Sequence, residues 1–295
     1  MFIVHGSTHV IKQFSPHWKQ IDLDATRKKS FGVLTRDMKV LLAFLLAILC
    51  WGCGPAEVAE RAALPVGCVL SGKVIRGELP QPRRGYPYEY RLYLPPCYSV
   101  EESARYPVLY LVPGRNGSPD SWFAAHLAKR LDELILHRDI QPFLLVTTEN
   151  IGADPRAEII HEELIPFIES QYPILNDRRY RAVAGGSLGG IAAYRLAFRH
   201  PGDFSSAGIF GAGAISGEEA QIKEWLTQMG PAHRTRVFLD CGNEDIFMLD
   251  RARVMKSILE ETGIEHELHI GQGGHTYAYW ISNFELYLKW LTKDW

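Results

Sequence analysis

Residues 181–201, RAVAGGSLGGIAAYRLAFRHP, hold one serine between glycines, in the run Gly185-Gly186-Ser187-Leu188-Gly189. This G-x-S-x-G spacing suits a nucleophile elbow. A sharp turn from strand to helix strains the serine backbone and lifts its hydroxyl clear of a sheet, which needs tiny residues two places before and after. A serine hydroxyl is a weak nucleophile, so an imidazole must take its proton and a carboxylate must orient that imidazole. The chain order around such an elbow is Ser, then Asp or Glu, then His. Downstream, RVFLDCGNEDIFMLD offers Asp240, Glu244 and Asp245. Asp245 is the choice for the acid, because it falls in the loop after a strand and can reach over the sheet edge. Asp240 sits at the strand terminus, suited to a partly buried backbone-bonding role. Among the later histidines, His266 and His269 lie around a strand, HELHI, in surface or lining positions. His275 follows Gly271-Gln272-Gly273-Gly274, a loop from which a ring can swing back over the nucleophile, and is the choice for the base. The charge formed on the carbonyl oxygen needs two placed donors. The backbone N–H of Leu188 is one, and the loop Pro113-Gly114-Arg115 offers the other through the Arg115 N–H.

These residues need a scaffold of alternating elements. Strand-like runs occur at 68–75, 88–94, 108–112, 142–147, 180–184, 207–210, 236–240 and 266–270. Helical spacing occurs at 122–136, 157–168, 191–198, 217–228, 249–262 and 279–291. Strands alternating with helices predict an α/β fold with a mainly parallel sheet covered on both faces. Two antiparallel strands at the N-terminal edge fit such a mixed sheet. Reactive groups then belong at the carboxyl ends of the strands.

The pieces RLYLPPCYS, YPVLYLVPGRNGSPDSW, EELIPFIESQYP, AVAGGSLGGIAAYRLAFRHPGDFSSAGIFGAG, CGNEDIF and GQGGHTYAYW, in this order, resemble the putative esterase family of α/β-hydrolases. That family includes feruloyl esterases, S-formylglutathione hydrolase, enterochelin esterases and the antigen 85 mycolyltransferases. The resemblance covers about residues 68–295. It implies Ser187 as nucleophile, Asp245 as acid and His275 as base, acting on a small-molecule ester with no metal or organic cofactor. Pro113-Gly114 stands where many members carry His-Gly, and Cys97 replaces a usual glycine. Acyl transfer to an alcohol other than water is the chemical alternative; a catalytically silent binding lipoprotein on the same scaffold is the alternative of another class. Trp122, Phe123, Tyr277, Tyr279 and Trp280 are candidates for an acyl pocket taking an aromatic acid, or equally for core packing and the seat of the last helix.

The 295 residues are 46% hydrophobic and 22% charged, with a net charge of −2, so no basic surface argues for nucleic acid. Residues 38–53 read as an export signal, with Arg36 and Lys39 ahead of an apolar run from Val40 to Trp51 that is too short for a membrane span. Cys53, directly after Gly52, is the lipidation candidate of a bacterial lipoprotein, periplasmic or membrane-anchored. Translation is expected to begin at Met38, making residues 1–37 a non-native extension; residues 54–67 form a linker to the domain at 68–295. In an oxidising compartment Cys68 and Cys97 could pair. Cys241, in an apolar run, reads as a buried small hydrophobe. Oligomeric state leaves no signature.

Overall fold

The structure is a computed structural model that describes residues 68–80, 85, 87–101, 103–124, 126–149 and 157–295. Residues 1–37, the signal at 38–53 with Cys53, and the linker at 54–67 lie outside them. Among the described residues no helix is long and apolar enough to cross a membrane.

Eight strands form one sheet: β1 (Lys73–Leu79), β2 (Tyr88–Leu94), β3 (Val108–Val112), β4 (Leu144–Thr148), β5 (Arg181–Gly186), β6 (Ser206–Phe210), β7 (Arg236–Gly242) and β8 (His266–Gly271). Their order is β1-β2-β4-β3-β5-β6-β7-β8, with β1 and β2 antiparallel and β3 to β8 parallel. The expected α/β architecture is therefore the observed one. Residue types follow position in the sheet. β3, β4 and β6 are buried on both faces and read as continuous runs such as VLYLV and SAGIF, as central parallel strands must. β1, at the edge, alternates exposed and partly buried residues in KVIRGEL.

The helices are α1 (Leu127–Leu136), α2, α3 (Leu188–Arg199), α4 (Glu219–Gln228), α5 (Ile246–Thr262), α6 (Tyr277–Ser282) and α7 (Phe284–Leu291). α2 is composite: Ala157–Ile159, a π-helical turn at Ile160–Leu164, then Ile165–Gln171. One side of the sheet packs Ile160 and Leu164 of α2, Ile191 and Tyr194 of α3, and Ile222 of α4; the other packs Leu127 and Leu131 of α1, Trp280 of α6 and Tyr287 of α7.

Several predicted boundaries shift, the first strand from 68–75 to Lys73–Leu79 among them, and two helix starts move for clear physical reasons. The helix expected over 122–136 starts only at Leu127, because the preceding stretch is held in turns by Ser121 N–H donating to Ser118 O and Phe123 N–H donating to Asp120 O. The helix expected over 279–291 starts at Tyr277, capped by Thr276 Oγ1, and breaks at Asn283 into α6 and α7. Cys68 and Cys97 form a disulfide that ties the lead-in of β1 to the end of β2.

Strand order reverses at β3. The chain leaves β3 to pair β4 on one side and returns through α2 to pair β5 on the other. The loops after β3 and β5 therefore face each other across a topological switch point, where a ligand crevice opens in folds of this kind.

Candidate active site

Ser187 is the residue between β5 and α3, with φ 56° and ψ −122°. That backbone strain is held by the neighbourhood: the Ser187 N–H donates to the Phe210 carbonyl of β6 at 2.8 Å. The flanking glycines are needed for contact. A Cβ on Gly185 would collide with the backbone of Gly189, and one on Gly189 with the Val112 carbonyl at the end of β3. Leu188 is the first residue of α3, so its N–H has no carbonyl a turn earlier and is one of the free donors of a helix start. The positive end of the α3 dipole adds to it.

The loop after β3 approaches the elbow closely, since a Cβ built on Gly114 would lie 3.3 Å from Ser187 Cβ. Gly114 to Gly117 is a turn closed by Gly117 N–H donating to Gly114 O at 2.9 Å. Asn116, at φ 58°, takes the left-handed position of that turn. The Arg115 N–H lies within this turn and its residue is exposed. Three ties fix the loop: Gly114 N–H donates to Tyr277 Oη at 2.8 Å, Thr147 Oγ1 donates to Pro119 O at 2.6 Å, and Arg91 grips Asp120 through Nε at 2.8 Å and Nη2 at 2.7 Å. Those carboxylate bonds outweigh burial and raise the Arg91 pKa, keeping a charged clamp beneath the loop.

On the other side, His275 Nδ1 lies 2.5 Å from Asp245 Oδ2. The Asp245 side chain is 11% exposed and that of His275 35%, so the pair is shielded at the acid and open at the base. Their loops are stitched together: Asn243 N–H donates to Gly271 O, Glu244 N–H to Gly273 O, and Gly273 N–H to Asn243 Oδ1. Gly242 and Gly273 permit this approach, because a Cβ on Gly242 would strike the Gly273 carbonyl. His275 meets Trp280 edge-on at 5.2 Å, and a Cβ on Gly211 would lie 3.1 Å from His275 Nδ1. Gly211 follows the Phe210 whose carbonyl holds the Ser187 N–H, so Ser187 and the His275 imidazole flank the same two residues.

The pocket candidates divide. Trp122 is fully buried and packs edge-on against Tyr277 at 5.2 Å and against Phe210 at 6.4 Å. It braces the loop from within and offers no face to a ligand, which corrects its reading as a pocket residue. Tyr277 spends its hydroxyl on Gly114, and burial raises its pKa, so it remains a neutral clamp. Tyr279 and Trp280 are also buried. The exposed apolar side chains beside the acid are Ile246 and Phe247, 71% and 65% exposed at the start of α5; nothing in their spacing marked them. The loop ties through Asn243, Arg91 and Asp120 were likewise missed, since each joins residues remote in sequence. A cavity of about 600 Å³, lined by Ile135, Ile140, Thr292 and Trp295 among others, lies at the amino ends of the parallel strands, away from Ser187.

Comparison with known proteins finds one family model over most of the chain and a shared fold among solved esterases. The model of the family described as "Putative esterase" matches residues 83–291. The endo-1,4-beta-xylanase/feruloyl esterase of Xylanibacter ruminicola is 28% identical over 192 residues, covering 60% of this chain and 25% of that protein. The chain thus spans a quarter of that relative's length. A solved ferulic acid esterase superposes with a TM-score of 0.67 at 23% identity, over 76% of this chain and all of its own. A CE1 ferulic acid esterase from Anaeromyces mucronatus, solved in complex with ferulic acid, gives 0.63 at 17% identity, over 77% of this chain and 93% of its own.

Proposed function

This chain belongs to the family described as "Putative esterase", and from that premise we propose that it hydrolyses carboxylic esters through an acyl-enzyme on Ser187. The observation that carries the reading is the Asp245–His275 pair at 2.5 Å, packed on Gly211 beside the strained Ser187 elbow. With Nδ1–H donated to Asp245, Nε2 of His275 is the acceptor for the Ser187 proton. Ser187 Oγ adds to the ester carbonyl carbon, and the oxygen left with the electron pair takes hydrogen bonds from the Leu188 and Arg115 N–H groups. Collapse of this adduct breaks the bond to the alkoxy oxygen, which leaves with the proton from His275. Water, deprotonated by the same imidazole, then releases the acid and restores Ser187.

The substrate class we assign is an ester of an aromatic acid. The names of the feruloyl esterase relative and of the ferulic acid esterases that share the fold support it. So does the apolar rim of Ile246 and Phe247 beside the acid. An extracytoplasmic location, with lipid on Cys53, is part of the same proposal, and the Cys68–Cys97 disulfide supports an oxidising compartment.

A fluorophosphonate probe tests the chemistry. The protein is expected to gain one adduct by intact mass, mapped to the peptide carrying Ser187, and Ser187→Ala to gain none. Failure of active, folded protein to label, or labelling that survives the substitution, contradicts the proposal. Esters of ferulic acid set against acetyl esters of the same alcohol then read the substrate class, and a higher kcat/KM on acetyl esters would overturn that part alone.

A further inference from the structure

Helix α3 carries Ser187 at one end and a second cluster at the other. His200 follows its last residue, and the chain turns at once, with Asp203 N–H donating to His200 O at 3.0 Å. Across from this turn stands His161, on the π-helical turn of α2, a distortion that recurs at functional sites. The imidazoles of His161 and His200 stack with centroids 3.6 Å apart and planes 13° from parallel. His161 Nδ1 approaches Asp203 Oδ2 at 2.7 Å, and His200 Nε2 approaches Glu158 Oε2 at 2.8 Å. One ligand atom each from His161, His200 and Asp203 can be chosen so that all lie within 4.8 Å of one another.

We propose that His161, His200 and Asp203 form a binding site for a divalent transition-metal ion of the zinc class, with Glu158 or water completing the coordination. Two imidazole nitrogens and one carboxylate oxygen are a donor set that such ions take. Asp203 Oδ2 is buried, and its contact with His161 Nδ1 lacks hydrogen-bond geometry, so a short approach stands without the bond that would account for it. Asp203 and Glu158 bring two negative charges, which Arg199, 3.2 Å from Glu158, and Arg178, within electrostatic reach of Asp203, offset. The ion would sit at the carboxyl end of α3, where the helix dipole favours positive charge. An ion lies in the plane of each imidazole that ligates it, so binding would turn the two stacked rings out of parallel.

The site is also built. Arg178 donates to the carbonyls of Pro201 and Phe204, and Arg181 to that of Asp203, so the turn's backbone is anchored and its side chains are left to the cluster. α3 has 12 residues, so the ion would lie about 18 Å from Ser187 along the helix axis. That distance assigns it to stability and not to the chemistry.

Zinc sulfate titrated into the purified full chain by calorimetry tests this. The expected result is one ion per chain with Kd of about 1 μM or tighter, and a Tm increase of about 5–10 °C at a hundredfold excess over Kd. Binding in His161→Gln/His200→Gln is expected to weaken by about 100-fold or more, while hydrolysis of 4-nitrophenyl acetate stays at the level of the unsubstituted protein. Should that double variant fail to fold, Asp203→Asn is read instead, with at least about tenfold weaker binding expected. Absence of binding at about 100 μM zinc, or binding unchanged in the folded variants, overturns the site; in the latter case the ion sits elsewhere.

Discussion

Two carboxylate–imidazole pairs lie at the β7–β8 end of the sheet, and their distances are nearly equal. Asp245 and His275 meet at 2.5 Å, Asp240 and His269 at 2.6 Å. Their surroundings differ. Asp240 and His269 are register partners on neighbouring strands, and the Asp240 side chain is wholly buried. Tyr279 Oη donates to Asp240 Oδ2 at 3.1 Å and accepts the Gly271 N–H, so this pair knits the sheet edge to α6. Asp245 and His275 stand on loops past the strand ends, beside Gly211 and the elbow. The contrast teaches that a short acid–imidazole contact does not identify a catalytic pair. On the proposed reading, what distinguishes one is placement beyond the strand end, beside the Ser187 elbow.

The acids should separate clearly. Asp245→Asn is expected to lower kcat by about 10³–10⁴-fold, by analogy with the loss of the orienting acid in a serine triad. Asp240→Asn is expected to stay within about tenfold, since Asp240 touches no reacting group. Equal losses would erase the distinction.

The same residue sharpens the comparison through pH. Burial outweighs the hydrogen bonds to Asp240 and raises its pKa above the ordinary 3.8. The native state then binds this proton more tightly than the unfolded chain. The contribution to stability is therefore full below the ordinary carboxylate range and falls as pH rises toward the higher native value. Urea unfolding across acid pH is expected to show this decline in the unsubstituted protein and a flatter profile in Asp240→Asn; matching slopes would contradict it.

The smallest effect expected concerns Cys241, between the two acids in sequence. Burial first, then the charges of Asp245 and Asp240, push its thiol up to about 12. Iodoacetamide at pH 8 should leave the native thiol unmodified and alkylate it after unfolding, because the thiolate is the reactive form. Rapid labelling of folded protein would show that this strand end is open. Cys241 contributes stability that is intact below its ordinary value of 9.0 and declines above it.

The elbow, the alternation of strands with helices and the glycine loop before His275 were legible because each depends on local spacing or chain order. The buried runs of β3 to β6 announced themselves by continuous apolar residues. The roles of Trp122 and Tyr277 were not legible, since an aromatic beside a glycine-bearing loop has the same sequence signature whether it lines a pocket or props the loop. The pairing of His269 with Asp240 depends on β7–β8 register, which strand patterns alone do not supply. His161, His200 and Asp203 come from α2 and the end of α3, and only the packing of those helices on one face of the sheet joins them.

The comparison rests finally on the two imidazoles, read side by side. His275→Ala and His269→Ala, each confirmed folded by circular dichroism, are assayed for kcat on a feruloyl ester. The account predicts a loss of about 10⁴–10⁶-fold for His275→Ala and less than about tenfold for His269→Ala. Comparable losses in both variants, or a larger loss at His269, would contradict it.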